Sequence, residues 1–136
     1  MMQPINRNPM LLAQVAEPAT RADSQVAVDL VETLRANQDR CVGMAANMIG
    51  VNKNMIVVQM GAMPYVMINP VIVRKQDPFR TQEGCLSLDG ERSTKRYRKI
   101  RVRYADQTFV EREMDFTDFT AQIIQHEMDH CQGILI

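Results

Sequence analysis

The two histidines of this 136-residue chain, His126 and His130, lie four residues apart near its C-terminal end. In an α-helix each residue advances the side chain by about 100°, so residues four apart project from nearly the same face and can hold one metal ion. Glu127 lies on the flank of that face, where a carboxylate reaches a water beside the metal but is poorly placed as a third ligand. The spacing therefore predicts a hydrolytic metal site, unless the pattern arose by chance on an amphipathic helix.

A catalytic metal of this kind takes three protein ligands and leaves one position for water, so one ligand has to come from elsewhere in the chain. Three cysteines are available, since a metal lowers the pKa of a thiol enough to bind it as thiolate. Cys131 points away from His126, and Cys41 is possible but has no ligand-like setting. Cys85, in QEGCLSLDG, lies where a strand would bring its thiol against the helix, although a buried structural thiol is the alternative reading.

Charge and composition limit the classes of protein to which this chain can belong. Sixteen Lys and Arg residues balance sixteen Asp and Glu residues, which argues against a general surface for polyanions. The locally basic run RSTKRYRKIRVRY, at 92–104, is typical of a solvated strand face, so we expect no direct binding of nucleic acid. The chain shows neither a signal peptide nor an apolar run of bilayer length, and three cysteines form no even-numbered framework. We therefore expect a soluble cytoplasmic protein without a membrane partner.

The elements that must position these residues fit one α+β domain over residues 1–136. Residues 1–20 are rich in proline and are expected to be irregular. Apolar periodicity predicts a helix over 22–37. Runs of β-formers predict strands at 54–60, 65–75, 84–88 and 99–105. The second of these strands is interrupted at Asn69-Pro70, which indicates a bend or an edge.

The last predicted element is the helix that carries the histidine pair. Thr117 is a natural cap for its start, and Gly133 is a natural stop. Phe119, Ile123 and Ile124 are expected to form the apolar stripe that packs the helix on small antiparallel or mixed sheets.

Two sequence blocks, EGCLS at 83–87 and QHEMDH at 125–130, together resemble the peptide deformylase family, which pairs E-G-C-L-S with Q-H-E-x-D-H. A third block of that family resembles CVGMAANM at 41–48, and INP at 68–70 also matches. The resemblance spans residues 20–134, nearly the whole chain. It implies a single α+β domain built on the helix with the His-Glu-x-x-His pattern.

The resemblance further implies that Cys85, His126 and His130 bind one divalent metal ion. In the family this is ferrous iron natively, and zinc or nickel can substitute. Glu127 would act as general acid and base, and the backbone N–H of Leu86 would stabilise the oxyanion. The implied substrates are formyl-methionyl peptides or nascent chains, which would bring the protein near the ribosome.

The same resemblance lays the substrate backbone along Val42 and Gly43 as an added strand, and puts Arg92 near the far end of the substrate. Met48 departs from the family, which has at this position a glutamine whose amide binds the formyl oxygen. A thioether donates no hydrogen bond, and one lost oxyanion donor typically costs about 10²- to 10³-fold in turnover. The side chain of Asn47, one residue earlier, is expected to point elsewhere.

Several functions therefore stay open. The leading one is removal of the N-formyl group from formyl-methionyl peptides, with full or reduced activity. The first alternative is a deformylase-fold protein that mainly binds peptide N-termini, which Met48 favours and Glu127 disfavours. Hydrolysis of another small amide is the second alternative. A general zinc protease is disfavoured because such sites seldom use a cysteine ligand.

Overall fold

The computed structural model describes residues 1–85 and 88–134, with the backbone alone for Cys85, Leu88 and Asp89. The described strands form one antiparallel sheet whose spatial order follows the chain. They are Gly43–Ala45 (β1), Met55–Met60 (β2), Met63–Cys85 (β3), Leu88–Ala105 (β4) and Glu111–Thr117 (β5). β1 therefore lies at one edge of this sheet, and the predicted α+β class is confirmed.

The described helices are Pro9–Leu12 (α1), Ser24–Ala36 (α2) and Asp118–Cys131 (α3), with 3₁₀ turns at Arg21–Asp23 and Ala46–Ile49. α1 is a single turn within the segment that was expected to be irregular. α2 and α3 confirm the two predicted helices to within two residues at their starts. Among the residues that the structure describes, no helix combines the length and apolar character that crossing a bilayer requires.

The two ends of α3 differ in how they are capped. Thr117 occupies the N-cap position in extended conformation, as predicted, but its side chain makes no capping hydrogen bond. At the other end, the N–H of Gly133 donates to the carbonyl oxygen of His130 at 3.0 Å, and that of Ile134 donates to Asp129 at 2.9 Å. These are the two bonds of a Schellman motif, with Gly133 left-handed at φ +76°. The predicted stop at Gly133 is confirmed.

The sheet lies between α2 and α3, and β2 is buried on both faces. Because side chains alternate along a strand, Met55 and Val57 join the core on the α2 side, where they meet Leu30 and Leu34. Ile56 and Val58 join the core on the α3 side, which also contains Ile123 and Ile124. This three-layer packing holds α3 against the centre of the sheet.

The strands β3 and β4 form a long hairpin that the sequence patterns divided into short pieces. The predicted strands 65–75 and 99–105 are parts of these two elements. Between Ile68 and Val71 the register shifts, and Asn69 has a positive φ of 51°, so the bend predicted at Asn69-Pro70 is confirmed. The side chain of Asn69 stabilises this bend by accepting the N–H of Ala19 at 2.8 Å. Beyond the bend, β3 continues to Cys85, within the EGCLS block.

Candidate metal centre and substrate cleft

Helix α3 presents His126, Glu127 and His130 to one buried region. One potential ligand atom from each lies within 4.8 Å of the other two. The two imidazole rings have centroids 5.1 Å apart. The prediction that the histidines project side by side is thus confirmed, and α3 alone places two nitrogen ligands and one carboxylate together.

Buried polar atoms of this cluster fit a bound cation. Within the part of the chain that the structure describes, both ring nitrogens of His130 and Oε1 of Glu127 lack a hydrogen-bond partner. Such groups are costly in a protein interior unless something satisfies them. A divalent metal ion would bind imidazole nitrogen and offer a partner for a water near the carboxylate. The residues present therefore fit the metal that the sequence predicted.

The protonation states of the cluster suit the same role. Burial, aided by the nearby charges of His126 and Arg96, lowers the pKa of His130 to about 4, which keeps the imidazole neutral near pH 7. Burial raises the pKa of Glu127 to about 7, although the neighbouring His126 opposes that rise. A neutral imidazole is the form that binds a metal, and a carboxyl group with a pKa near 7 can both accept and donate a proton.

A buried ion-pair network orients His126. Burial alone would raise the pKa of Glu83, but hydrogen bonds from His126 and Arg96 outweigh it and hold that pKa at about 2. The ionised carboxylate accepts Nδ1–H of His126 at 2.8 Å, so metal ligation by His126 has to use Nε2. Arg96 donates from Nε and Nη2 to Glu83, and from Nη1 to Asp129 at 2.6 Å.

The network joins the hairpin to the helix, because Glu83 and Arg96 belong to β3 and β4 while Asp129 belongs to α3. Sequence reasoning missed these three residues as site residues. A signal was available in part: Glu83 and Asp129 lie inside the two quoted motif blocks. Arg96 lay in the run interpreted as a solvated strand face, yet it alternates in phase with the buried Thr94.

The segment around β1 forms the opposite wall of the site. Gly43 lies so close to α3 that a Cβ added there would be 2.7 Å from Cγ2 of Ile123 and 3.1 Å from Oε2 of Glu127. Only glycine lets the strand and the helix approach this closely. The preceding residue, Val42, is half exposed, and its carbonyl accepts the N–H of Gln59 at 2.8 Å. Val42 and Gly43, which the resemblance placed along the substrate backbone, therefore line the same cavity as Glu127.

Met48 and Asn47 follow β1 in the 3₁₀ turn, and they point in different directions. Met48 is buried, and its Sδ accepts the N–H of Ala45 at 3.4 Å. Asn47 donates from Nδ2 to the carbonyl oxygens of His130 at 2.8 Å and of Leu12 at 3.4 Å. The expectation that the Asn47 amide points elsewhere is confirmed, so it does not replace the missing glutamine.

A cavity of about 480 Å³ lies between these walls. Residues 40–43 and Met48 line one side, and residues 82–84 of β3 line another. From α3 the lining includes Ile123, His126, Glu127 and Phe119. Phe119 is 61% exposed and lines this cavity, so its predicted place in the apolar stripe under α3 is wrong.

The other cysteine and arginine candidates differ in what the structure shows of them. Cys131, which the sequence analysis disfavoured as a ligand, is buried, and burial raises the pKa of its thiol to about 12. Arg92 is exposed on β4 opposite Glu83 and does not line the described cavity. The side chain of Cys85 and all of Leu86 lie outside the described residues. Their roles, and that of Arg92, stay predictions.

Taken together, the fold and the site define a metallohydrolase: a helix-borne His-Glu-x-x-His cluster opens into a cleft beside an edge strand. The family model for polypeptide deformylase matches residues 2–136. A peptide deformylase of Clostridium beijerinckii is 52% identical over 136 residues, which cover both chains completely. One of Thermoanaerobacter pseudethanolicus is 36% identical over 129 residues, covering 92% of this chain and 80% of the relative.

Solved structures agree with these sequence relatives. The Met-Ala-Ser-bound class I type b peptide deformylase from Acinetobacter baumannii has a TM-score of 0.87 and 27% identity, and the match covers 99% of this chain and 97% of that one. The actinonin-bound structure of the same enzyme has a TM-score of 0.88 at 28% identity, covering 99% of this chain and 95% of that one. The chain belongs to the polypeptide deformylase family, and it is a hydrolase with deformylase function.

Proposed function

We propose that this chain removes the formyl group from peptides that begin with formyl-methionine, using Glu127 as general acid and base, at a rate limited by the absence of an amide at Met48. The observation that carries the proposal is Oε1 of Glu127, which is buried in a cleft beside the edge strand β1 and has no hydrogen-bond partner among the described residues. The reaction consumes one water and yields formate and a free amino terminus.

We infer that β1 receives the substrate backbone. An edge strand offers backbone groups to an added strand, and Val42 and Gly43 lie where such a strand would pass Glu127. The side chains of Phe119, Ile123 and Val42 give the cleft an apolar wall that suits a methionine side chain. The A. baumannii relative, whose solved structure holds Met-Ala-Ser, supports a peptide as the ligand of this chain.

The metal site in this proposal consists of His126, His130 and Cys85. A divalent metal, when bound, polarises the formyl carbonyl and makes a nucleophile available near neutral pH. The family resemblance suggests ferrous iron, which zinc or nickel could replace. The network of Glu83 and Arg96 would hold His126 in the orientation that ligation requires.

Glu127 moves the proton in this scheme. Its carboxylate takes a proton from the attacking water and returns it to the nitrogen of the departing amine. The pKa of about 7 that burial gives this group lies near the operating pH, which suits both transfers. The backbone N–H of Leu86 would stabilise the developing oxyanion. Met48 lines the same cavity and donates nothing, so the oxyanion is expected to have one donor fewer than in relatives with glutamine.

The setting of this activity follows from its substrates. Nascent chains carry formyl-methionine while they are still on the ribosome, so we expect the protein to work in the cytoplasm and close to the ribosome. Arg92 stays the residue predicted to meet the far end of the substrate.

Formate release from formyl-Met-Ala-Ser by anaerobically iron-loaded protein tests the proposal. We expect turnover that Glu127→Ala abolishes while the metal content is unchanged, and that Met48→Gln raises. Cys85→Ala should lose metal, and full metal stoichiometry in that variant would overturn the ligand assignment.

A second candidate function is binding of peptide N-termini without efficient hydrolysis. The observation that favours it is Met48, a thioether in the place of an amide donor. No turnover by the unaltered chain, together with activity gained by Met48→Gln, would establish this second function in place of the first.

A further inference from the structure

An arginine at the mouth of the cleft has no role in the proposed chemistry. Arg40 lies three residues before Gly43, is exposed, and lines the cavity. No sequence motif identified Arg40 as a site residue. Arg92, the arginine that the resemblance predicted at the far end of the substrate, does not line the described cavity. The structure thus offers a different arginine for contact with substrate.

The guanidinium of Arg40 is held in place by the end of α2. Its Nη2 donates to Oδ1 of Asn37 at 3.0 Å, and its backbone N–H donates to the carbonyl of Asn37 at 3.0 Å. Asn37 is itself buried, and its Nδ2 donates to the carbonyl of Thr33 at 2.8 Å. An anchored cation loses less conformational entropy when it meets a ligand than a freely rotating one.

The direction of a bound peptide brings its later residues towards Arg40. Gly43 lies against Glu127, so the formyl end of a peptide on β1 belongs at Gly43. The rest of β1 beyond Gly43 is fully buried, whereas Val42 and Cys41 line the cavity, so we expect the residues after the methionine to pass these two on the way out of the cleft. Three residues of extended peptide span about 10 Å, so we expect the second or third residue of the substrate to reach the part of the cavity that Arg40 lines.

Arg40 is also the charged side chain of the cavity that would interact with such a substrate residue. Among the described side chains that line the cavity, the other charged groups are Glu83 and Glu127. Glu83 is paired with Arg96, and Glu127 lies at the buried, reacting end. No ion pair joins Arg40 to a carboxylate of the described residues, so its charge is available to the substrate.

From this placement we propose that Arg40 is a specificity-determining residue that favours substrates whose second or third residue has an acidic side chain. The inference rests on the proposed function, because it assumes a peptide with its formyl end at Glu127. Exposed charge pairs are modest in energy, so an Asp-over-Lys preference of about three- to tenfold in kcat/KM is expected, carried mainly by KM. Salt at about 0.5 M should reduce it.

The test compares formyl-Met-Ala-Asp-amide with formyl-Met-Ala-Lys-amide, whose amidated ends remove a second carboxylate. The unaltered chain should prefer the Asp peptide, Arg40→Gln should show no preference, and Arg40→Glu should prefer the Lys peptide. Arg80→Glu is the matched control, because this exposed arginine of β3 does not line the cavity and undergoes the same change of charge. It should keep the preference of the unaltered chain.

Three results would overturn the inference: no preference in the unaltered chain, a preference that survives Arg40→Glu, or one that Arg92→Glu reverses. Calorimetric binding of the product-like peptides Met-Ala-Asp-amide and Met-Ala-Lys-amide is measured on the same variants. This separates the inference from the proposed function. If the protein binds the Asp peptide more tightly through Arg40 but releases no formate, the proposed function is wrong and the inference about Arg40 stands.

Discussion

Helix α3 and the segment 42–49 face each other across the cleft, and they contribute to the site in different ways. α3 contributes reacting groups, since His126, Glu127 and His130 come from one continuous helical face. The segment contributes shape: Gly43 is needed because it has no side chain to collide with α3, and the Met48 thioether donates no hydrogen bond. Reacting groups follow from local spacing, whereas shape depends on how closely two distant parts of the chain approach. The two walls should therefore respond differently to mutation.

On the α3 wall, Glu127→Gln should produce the largest effect. The isosteric amide keeps the packing but cannot transfer a proton, so kcat/KM for a formyl-methionyl peptide should fall by about 10²- to 10⁴-fold. Metal content should change little. Glu111→Gln, on the exposed part of β5, is the control and should retain full activity. A Glu127→Gln protein within tenfold of the unaltered rate would show that the helix does not supply the proton.

Between the walls, Arg96→Met should test the network that joins the hairpin to α3. The change leaves Glu83 charged and buried without its cation, which typically costs about 3–5 kcal/mol. We expect a lower urea midpoint and faster loss of metal to a chelator. Asp129→Asn removes only the partly exposed arm of the network and should cost less. Equal losses of stability in the two variants would mean that the ion pair with Glu83 contributes no more than the ion pair with Asp129.

The pH dependence of the metal-free protein isolates Glu127. Its pKa is raised from 4.5 to about 7 in the folded state, so the folded protein binds more protons than the unfolded chain between these values. Stability from this group is therefore present below pH 4.5 and is lost as pH rises towards 7, by about 3 kcal/mol. Relative to Glu127→Gln, the unaltered chain should lose this amount between pH 4.5 and 7 in urea unfolding. A constant difference across that range would contradict the prediction.

On the segment wall, Gly43→Ala should reduce stability less than Arg96→Met does. The added methyl overlaps Cγ2 of Ile123, and overpacking of this kind costs about 1–3 kcal/mol. Because Oε2 of Glu127 is also close, activity should fall further than stability alone explains. Ile123→Ala in the same chain should recover part of both losses. Additive effects of the two changes, measured by a double-mutant cycle, would show that the close approach does not constrain the site.

The same contrast explains what the sequence could predict. The histidine pair, Glu127 and the stop at Gly133 depend on contacts within one helix, and local patterns predicted them. The burial of Arg96 depends on Glu83 and Asp129, which lie 13 and 33 residues away, and no local pattern reveals such a pairing. For the same reason Phe119 was assigned to the wrong surface, since its apolar character fits a core stripe and a cleft wall equally well.

Strand length was harder to predict than strand position. The patterns located parts of β3 and β4 but divided each of them, because charged and polar residues interrupt the apolar alternation. An exposed hairpin can carry such residues without losing its backbone pairing, so the alternation weakens while the strand continues.

The short length of β1 has a consequence for solubility. An edge strand that accepts a peptide backbone can also accept a strand from another copy of the protein, which is a common route to aggregation. β1 spans only Gly43–Ala45, and the left-handed Gly50 follows soon after it, beyond the 3₁₀ turn. A strand this short can pair with the first residues of a peptide, yet it forms too few backbone hydrogen bonds to start a growing intermolecular sheet.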